Sequence, residues 1–309
     1  MAARKSPSKL RRKFAARGVF VFVMTPFKMS KNRQGKYEPD LQGIEGNARY
    51  FSNIPGDKVL VICGGSGEFH SLSSSEVIGL AGAAVSGAEG RCRVIVGVGG
   101  TTKNAVKMAE GAQTVGCDGV LVMPHPPEVK RGEKVLYERH RAISRAIDIG
   151  LLPFRAPAQL LSPQIIERLE RFANVVAIKE ESNAVDWVRT GVRLTEGRLP
   201  IVTGGGENMV PYYYLAGAVG FTTGMANITL ARSIDLHAAA LSHNWEEAMK
   251  WRDYFESLTD MRGKLGSPML KGGLEMLGLA GGPVRNTGAV LDAAGRRQVR
   301  KMMRAKGLL

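Results

Sequence analysis

A lysine closes one of the apolar runs of this chain: Val175-Val176-Ala177-Ile178 is followed by Lys179. Its stem would lie among apolar side chains, and burial disfavours the ammonium, lowering the pKa toward the free amine that attacks a carbonyl carbon. The plain alternative is a strand-end lysine paired with Glu180 or Glu181. A second apolar run ends in Gly64-Gly65-Ser66-Gly67-Glu68. Successive backbone N–H groups and the Ser66 hydroxyl of such a turn make a cradle for a small anion, a carboxylate included. A carboxylate cradle and a desolvated lysine in one site fit a 2-oxo acid held for Schiff-base formation. The covalent amine is then the electron sink, so neither a metal nor an organic cofactor is implied. His125, between Pro124 and Pro126, offers an acid or base but reads first as a loop hydrogen-bonder. His70, His140, His237 and His243 show no ligand spacing, and Tyr212-Tyr213-Tyr214 opens a helical stretch as packing residues.

These groups need a scaffold that brings run ends together. Eight short runs, Val19–Met24, Val59–Cys63, Val94–Val98, Gly119–Met123, Gly150–Phe154, Val175–Lys179, Ile201–Gly204 and Ala218–Thr223, are near-continuously apolar, as strands buried on both faces are. Longer amphipathic stretches separate them, such as Leu136, His140, Ile143 and Ile147 at spacings of four, three and four. Ser73 with Glu76, and Ser162 before Pro163, mark helix starts. That alternation predicts an α/β fold, a (β/α)8 TIM barrel over 18–241, with active-site residues at the carboxyl ends of the strands. Those ends include Phe154-Arg155 and Thr222-Thr223. An open doubly wound sheet is the competitor, but the Gly-rich dinucleotide fingerprint is missing: Gly97-Val98-Gly99-Gly100 lacks the third glycine at the right spacing. Helical pattern continues beyond the eighth run, so 242–309 reads as a C-terminal helical extension.

Composition narrows the partners. With 309 residues, 44% apolar and 23% charged, the chain is no disordered polymer. No window approaches ~20 consecutive apolar residues, and the first 17 are too charged for a signal-peptide core, so it reads as a soluble cytoplasmic protein with no membrane partner. Cys63, Cys92 and Cys117 lack redox or zinc spacing and read as buried thiols. The net charge of +15 raises the question of a nucleic-acid partner. Residues 1–17 hold seven of those fifteen charges and no acid, as a basic N-terminal tail, leaving eight for the other 292 residues. Nucleic acid is therefore not the expected ligand; a small molecule is.

Further motifs occur in order: Thr25-Pro26-Phe27, Leu72 and Glu76 after the glycine turn, Gly97-Val98-Gly99 before Thr101, Leu136-Tyr137-Glu138-Arg139-His140, Ala177-Ile178-Lys179-Glu180, and Gly281-Gly282-Pro283-Val284-Arg285. From Gly18 to about Leu291 the chain resembles the dihydrodipicolinate synthase / N-acetylneuraminate lyase family of Schiff-base barrels. Gly-Gly-Ser-Gly-Glu-Phe, Val-Gly-Gly-Thr-Thr and Met-Pro-His are most similar to its 5-dehydro-4-deoxyglucarate dehydratase branch. The resemblance implies a cofactor-free lyase, a homodimer or homotetramer, that cleaves, condenses or dehydrates a 2-oxo acid. It implies Lys179 as the imine former, Gly65 and Ser66 as the carboxylate holder, and Thr222 and Thr223 as pocket walls. One departure stands out. The family's proton-relaying tyrosine falls at Phe154, with Arg155 one residue from the place of a branch arginine. A phenylalanine there leaves proton relay to water, Ser66 or His125, or leaves a barrel that binds a small acid as sensor or scaffold.

Overall fold

The computed structural model describes residues 8–30 and 36–309. Its strands are β1 (Gly18–Phe22), β2 (Phe27–Met29), β3 (Tyr37–Pro39), β4 (Lys58–Ile62), β5 (Arg93–Val98), β6 (Gly119–Val122), β7 (Gly150–Arg155), β8 (Ile178–Glu180), β9 (Ile201–Thr203) and β10 (Gly220–Thr223). All but β2 and β3 form a closed parallel barrel in the order β1-β10-β9-β8-β7-β6-β5-β4, with β4 returning to β1. Each of the eight apolar runs supplies one barrel strand. The run from Val175 is regular only over its last part, with Val175 bridged singly to Leu151. The small antiparallel pair β2–β3 carries no signal in the sequence, because two strands of three residues each are too short to show an apolar period.

Strand alternation sorts side chains into two cores. Phe20, Phe22, Val59, Val61, Ile95, Leu121, Leu152, Phe154 and Val202 fill the barrel, while Val19, Val21, Leu60, Val96 and Val120 pack outward onto the helices. The helical layer includes α3 (Ser74–Ala88), opened by a complete Ser73/Glu76 capping box, and α7 (Pro163–Leu169), where Ser162 accepts the Ile165 N–H. The other helices up to Leu241 are α1 (Lys9–Phe14), α2 (Leu41–Asn53), α4 (Thr102–Thr114), α5 (Pro126–Val129), α6 (Glu133–Ala146), α8 (Val185–Leu194), α9 (Val210–Leu215) and α10 (Ala226–Leu241). Beyond Leu241 come α11 (Trp245–Leu265), α12 (Ser267–Met276) and α13 (Ala293–Ala305).

The basic N-terminal stretch is not simply solvated where it is described. In α1 the buried Arg11 donates to the carbonyls of Val175 (2.9 Å) and Glu170 (2.9 Å), and Phe14 joins the core inside the barrel. This helix therefore covers the amino-terminal end of the barrel. Arg4 and Lys5 lie outside the described residues. Among those described, no helix is long and apolar enough to cross a membrane.

Candidate active site

Lys179 sits in β8 opposite Phe154 of β7 and Val202 of β9. Alternation turns it into the barrel, and its residue is only 3% exposed. Its Nζ lies 3.8 Å from the ring centre of Phe154 and 4.2 Å from that of Phe22, and it contacts the Glu181 carboxylate. Burial drives its pKa below the ordinary lysine value, opposed chiefly by the charge of Glu181. Both earlier readings of the lysine are thus present together: it is desolvated and it is paired. It opens onto a cavity of about 500 Å³ at the carboxyl ends of the strands, also lined by Gly65, Ser66, Phe154, Thr222 and Thr223.

The glycine turn is built by close contacts. A Cβ on Gly64 would fall 2.5 Å from the Phe22 ring and one on Gly67 3.0 Å from the Val23 carbonyl oxygen, whereas Gly65 faces open space. Cys63 and Glu68 hold left-handed conformations at φ 53° and 59°, a strain tolerated because the surroundings fix both ends. Thr25 Oγ1 donates to the Gly67 carbonyl at 2.6 Å. From the C-terminal region, buried Lys271 reaches Glu68 at 2.7 Å and the Thr25 carbonyl at 2.9 Å, and the Arg285 N–H donates to the other Glu68 oxygen. The turn thus presents Gly65 and Ser66 to the cavity on a fixed base.

One expectation is corrected. Arg155 does not face the cavity: one residue after Phe154, it points out of the barrel, pairs with buried Glu180 at 2.8 Å, donates to the Leu161 carbonyl and lies over the Trp187 ring. His125, read first as a loop residue, stands outside the cavity walls; its Nδ1 lies 3.7 Å from Glu128, which is held by Arg139. Of the tyrosines, Tyr213 and Tyr214 are buried, the latter hydrogen-bonded to His237.

Three further charged residues of the cavity have no role in the chemistry read from the sequence: Glu181, weighed there only as a partner of Lys179, Glu207 and Arg262. Glu181 follows Lys179 by two, the strand period, which was the available signal. Glu207, in the β9–α9 loop, is 3% exposed and accepts from Ser233 Oγ at 2.9 Å; burial raises its pKa. Arg262 comes from α11, outside the strand ends, and its Nη2 lies 3.4 Å from Ser66 Oγ. No pattern in an amphipathic helix marks such a residue, because only the packing of α11 over the barrel mouth puts it there. Burial lowers its pKa, with Glu207 and Glu181 opposing the shift. A cation beside the anion cradle, and a partly desolvated amine in the same cavity, suit an anionic carbonyl compound.

Residues 15–306 match the dihydrodipicolinate synthetase family. The chain belongs to this family. It is 29% identical to a 4-hydroxy-tetrahydrodipicolinate synthase of Phenylobacterium zucineum, across 95% of this chain and 98% of that protein. It is 27% identical to a probable 5-dehydro-4-deoxyglucarate dehydratase of Acinetobacter baumannii, across 74% of this chain and 78% of that one. The fold matches the crystal structure of dihydrodipicolinate synthase from Oceanobacillus iheyensis with a TM-score of 0.82, at 23% identity over 97% of this chain and all of that one. Membership in the dihydrodipicolinate synthetase family brings the class anticipated from the motifs, a Schiff-base lyase of the aldolase or dehydratase type.

Proposed function

We propose that this family member binds a 2-oxo acid in the 500 Å³ cavity, with its carboxylate on the Gly65–Ser66 turn and its keto carbon on Lys179. The observation that carries the reading is the buried Lys179 amine facing the same space as Ser66 and Arg262. Ser66 and the turn's N–H groups would hold one end of the carboxylate, and the Arg262 guanidinium, 3.4 Å from Ser66 Oγ, would neutralise it. Thr222 and Thr223 line the same cavity, and Phe22 and Phe154 keep bulk water from the nitrogen.

Once the imine forms, it withdraws electrons from the adjacent carbon, so an aldol bond can be made or broken or a hydroxyl expelled. Relatives bearing the synthase and dehydratase names stand at nearly equal identity, and the two glycines of the turn favour the dehydratase reading. A comparison of turnover with pyruvate plus an aldehyde against turnover of a keto-deoxy sugar acid tests that choice. The proposal predicts water release from the sugar acid; condensation alone would move the chain to the synthase reading. We read it as a cytoplasmic homodimer or homotetramer, and sedimentation velocity showing only monomers would reject that assembly.

A further inference from the structure

Forming an imine moves protons at one nitrogen several times, yet the ring nearest Lys179 Nζ, that of Phe154, has no group that can carry one. The cavity walls offer His70, Glu181 and Glu207 as acids or bases. Glu207 is committed to Ser233, and His70 is an exposed residue of the turn after Glu68. Glu181 touches Nζ itself. Its place is built into the fold: a Cβ on Gly204, at the end of β9, would overlap Glu181 Cγ and fall 2.7 Å from its Cβ and 2.9 Å from its Cδ. Glycine at 204 is therefore what lets this carboxylate lie against the lysine. The Glu181 side chain is 43% exposed, so it is also reachable from the cavity.

We propose that Glu181 is the catalytic proton-transfer group of this site, doing at Lys179 what a hydroxyl on residue 154 would otherwise do. The inference rests on the reading of Lys179 as the imine former. In the first step a proton passes from the Lys179 ammonium to the Glu181 carboxylate, and the freed amine bonds to the keto carbon. The carbonyl π pair goes to oxygen, which takes the proton back from Glu181. Nitrogen then returns a proton to the carboxylate, its lone pair expels the hydroxyl, and Glu181 protonates that group as it leaves as water. The products are a protonated imine and a Glu181 carboxylate, with charge and atoms balanced. The same carboxylate next removes a proton from the carbon beside the imine carbon. That C–H pair becomes the new C=C bond, and the C=N π pair moves to nitrogen.

Pyruvate in D2O tests this without knowledge of the second substrate, because enamine formation exchanges its methyl protons, which proton NMR follows. Wild-type exchange should be slowed by roughly 10²- to 10⁴-fold in Glu181→Gln, the range for a positioned proton-transfer group. Borohydride trapping of pyruvate on Lys179 should still reach completion in that variant on long incubation. Adding Phe154→Tyr to Glu181→Gln should restore exchange at least tenfold, a recovery that loss of a mere ion pair would not give. Gly204→Ala, which displaces the carboxylate while keeping its chemistry, should slow exchange in the same direction and serves if Glu181→Gln folds poorly. Exchange within about twofold of wild type in Glu181→Gln, with trapping intact, overturns the proposal. So does a wild type that traps pyruvate on Lys179 without exchange. A wild type that traps nothing on Lys179 overturns the underlying reading and this one with it.

Discussion

Arg262→Gln asks whether the cation from α11 holds the substrate's carboxylate. The guanidinium stands 3.4 Å from Ser66 Oγ, and a Cβ on neighbouring Gly224 would meet Arg262 Nη2 at 2.9 Å and Ser66 Oγ at 3.0 Å. That corner is thus shared by turn, strand end and helix. A hydrogen bond to a charged group contributes about 1.5–3 kcal/mol. At about 1.4 kcal/mol per factor of ten, its loss should weaken 2-oxo acid affinity by roughly 10- to 150-fold. Glutamine keeps much of the volume, and the site is half-buried, so thermal stability should fall little. Arg262→Lys keeps the charge but not the planar fork and should lie between the two. The assay is calorimetric titration with pyruvate on a Lys179→Ala background, which isolates the non-covalent step. Unchanged affinity in Arg262→Gln would rule out this contact and leave the carboxylate to Ser66 and the backbone alone.

Removing Lys271 by Lys271→Met should destabilise the protein by about 3–5 kcal/mol in urea unfolding, because Glu68 loses its buried partner. It should also weaken pyruvate binding through the loosened turn; equal stability would show the pair to be dispensable. Arg155→Met leaves Glu180 uncompensated and should cost a similar amount, while any folded fraction still traps pyruvate, since Arg155 faces away from the cavity. Loss of trapping in folded Arg155→Met would place it in the site after all. Burial pushes the His140 imidazole down to about 4. Its unfolded form, near 6.5, binds the proton more readily, so stability is complete above about 6.5 and is lost as pH falls toward 4. The drop from 6.5 to about 4 corresponds to roughly 3 kcal/mol. His140→Gln should flatten that part of the unfolding midpoint's pH profile, and an unchanged slope would contradict it.

Strand placement was legible because each barrel strand lies in a near-continuous apolar run, several of them ending at glycine, and the strand ends fixed which loops share the mouth. Alternation then decides which side chains of a strand end enter the cavity, and applying it places Phe154, Lys179 and Glu181 inside and Arg155 and Glu180 outside. Reading Arg155 as a wall residue followed sequence neighbourhood rather than that period. Arg262 and Lys271 were out of reach for a different reason. Each acts on the glycine turn from nearly 200 residues or more further along the chain, and long-range packing of a helical extension leaves no local periodic trace. The β2–β3 pair and the docking of Arg11 under the barrel share that character, since both depend on contacts that propensity and pattern do not encode.

The chemistry proposed for the cavity turns on a covalent link through Lys179. The most direct measurement is peptide mapping by mass spectrometry after incubation with pyruvate and borohydride, in wild type and in Lys179→Ala. A single adduct on the peptide containing Lys179, absent from a folded Lys179→Ala protein, is the predicted result. An adduct on another lysine, or equal trapping in the variant, would contradict the account.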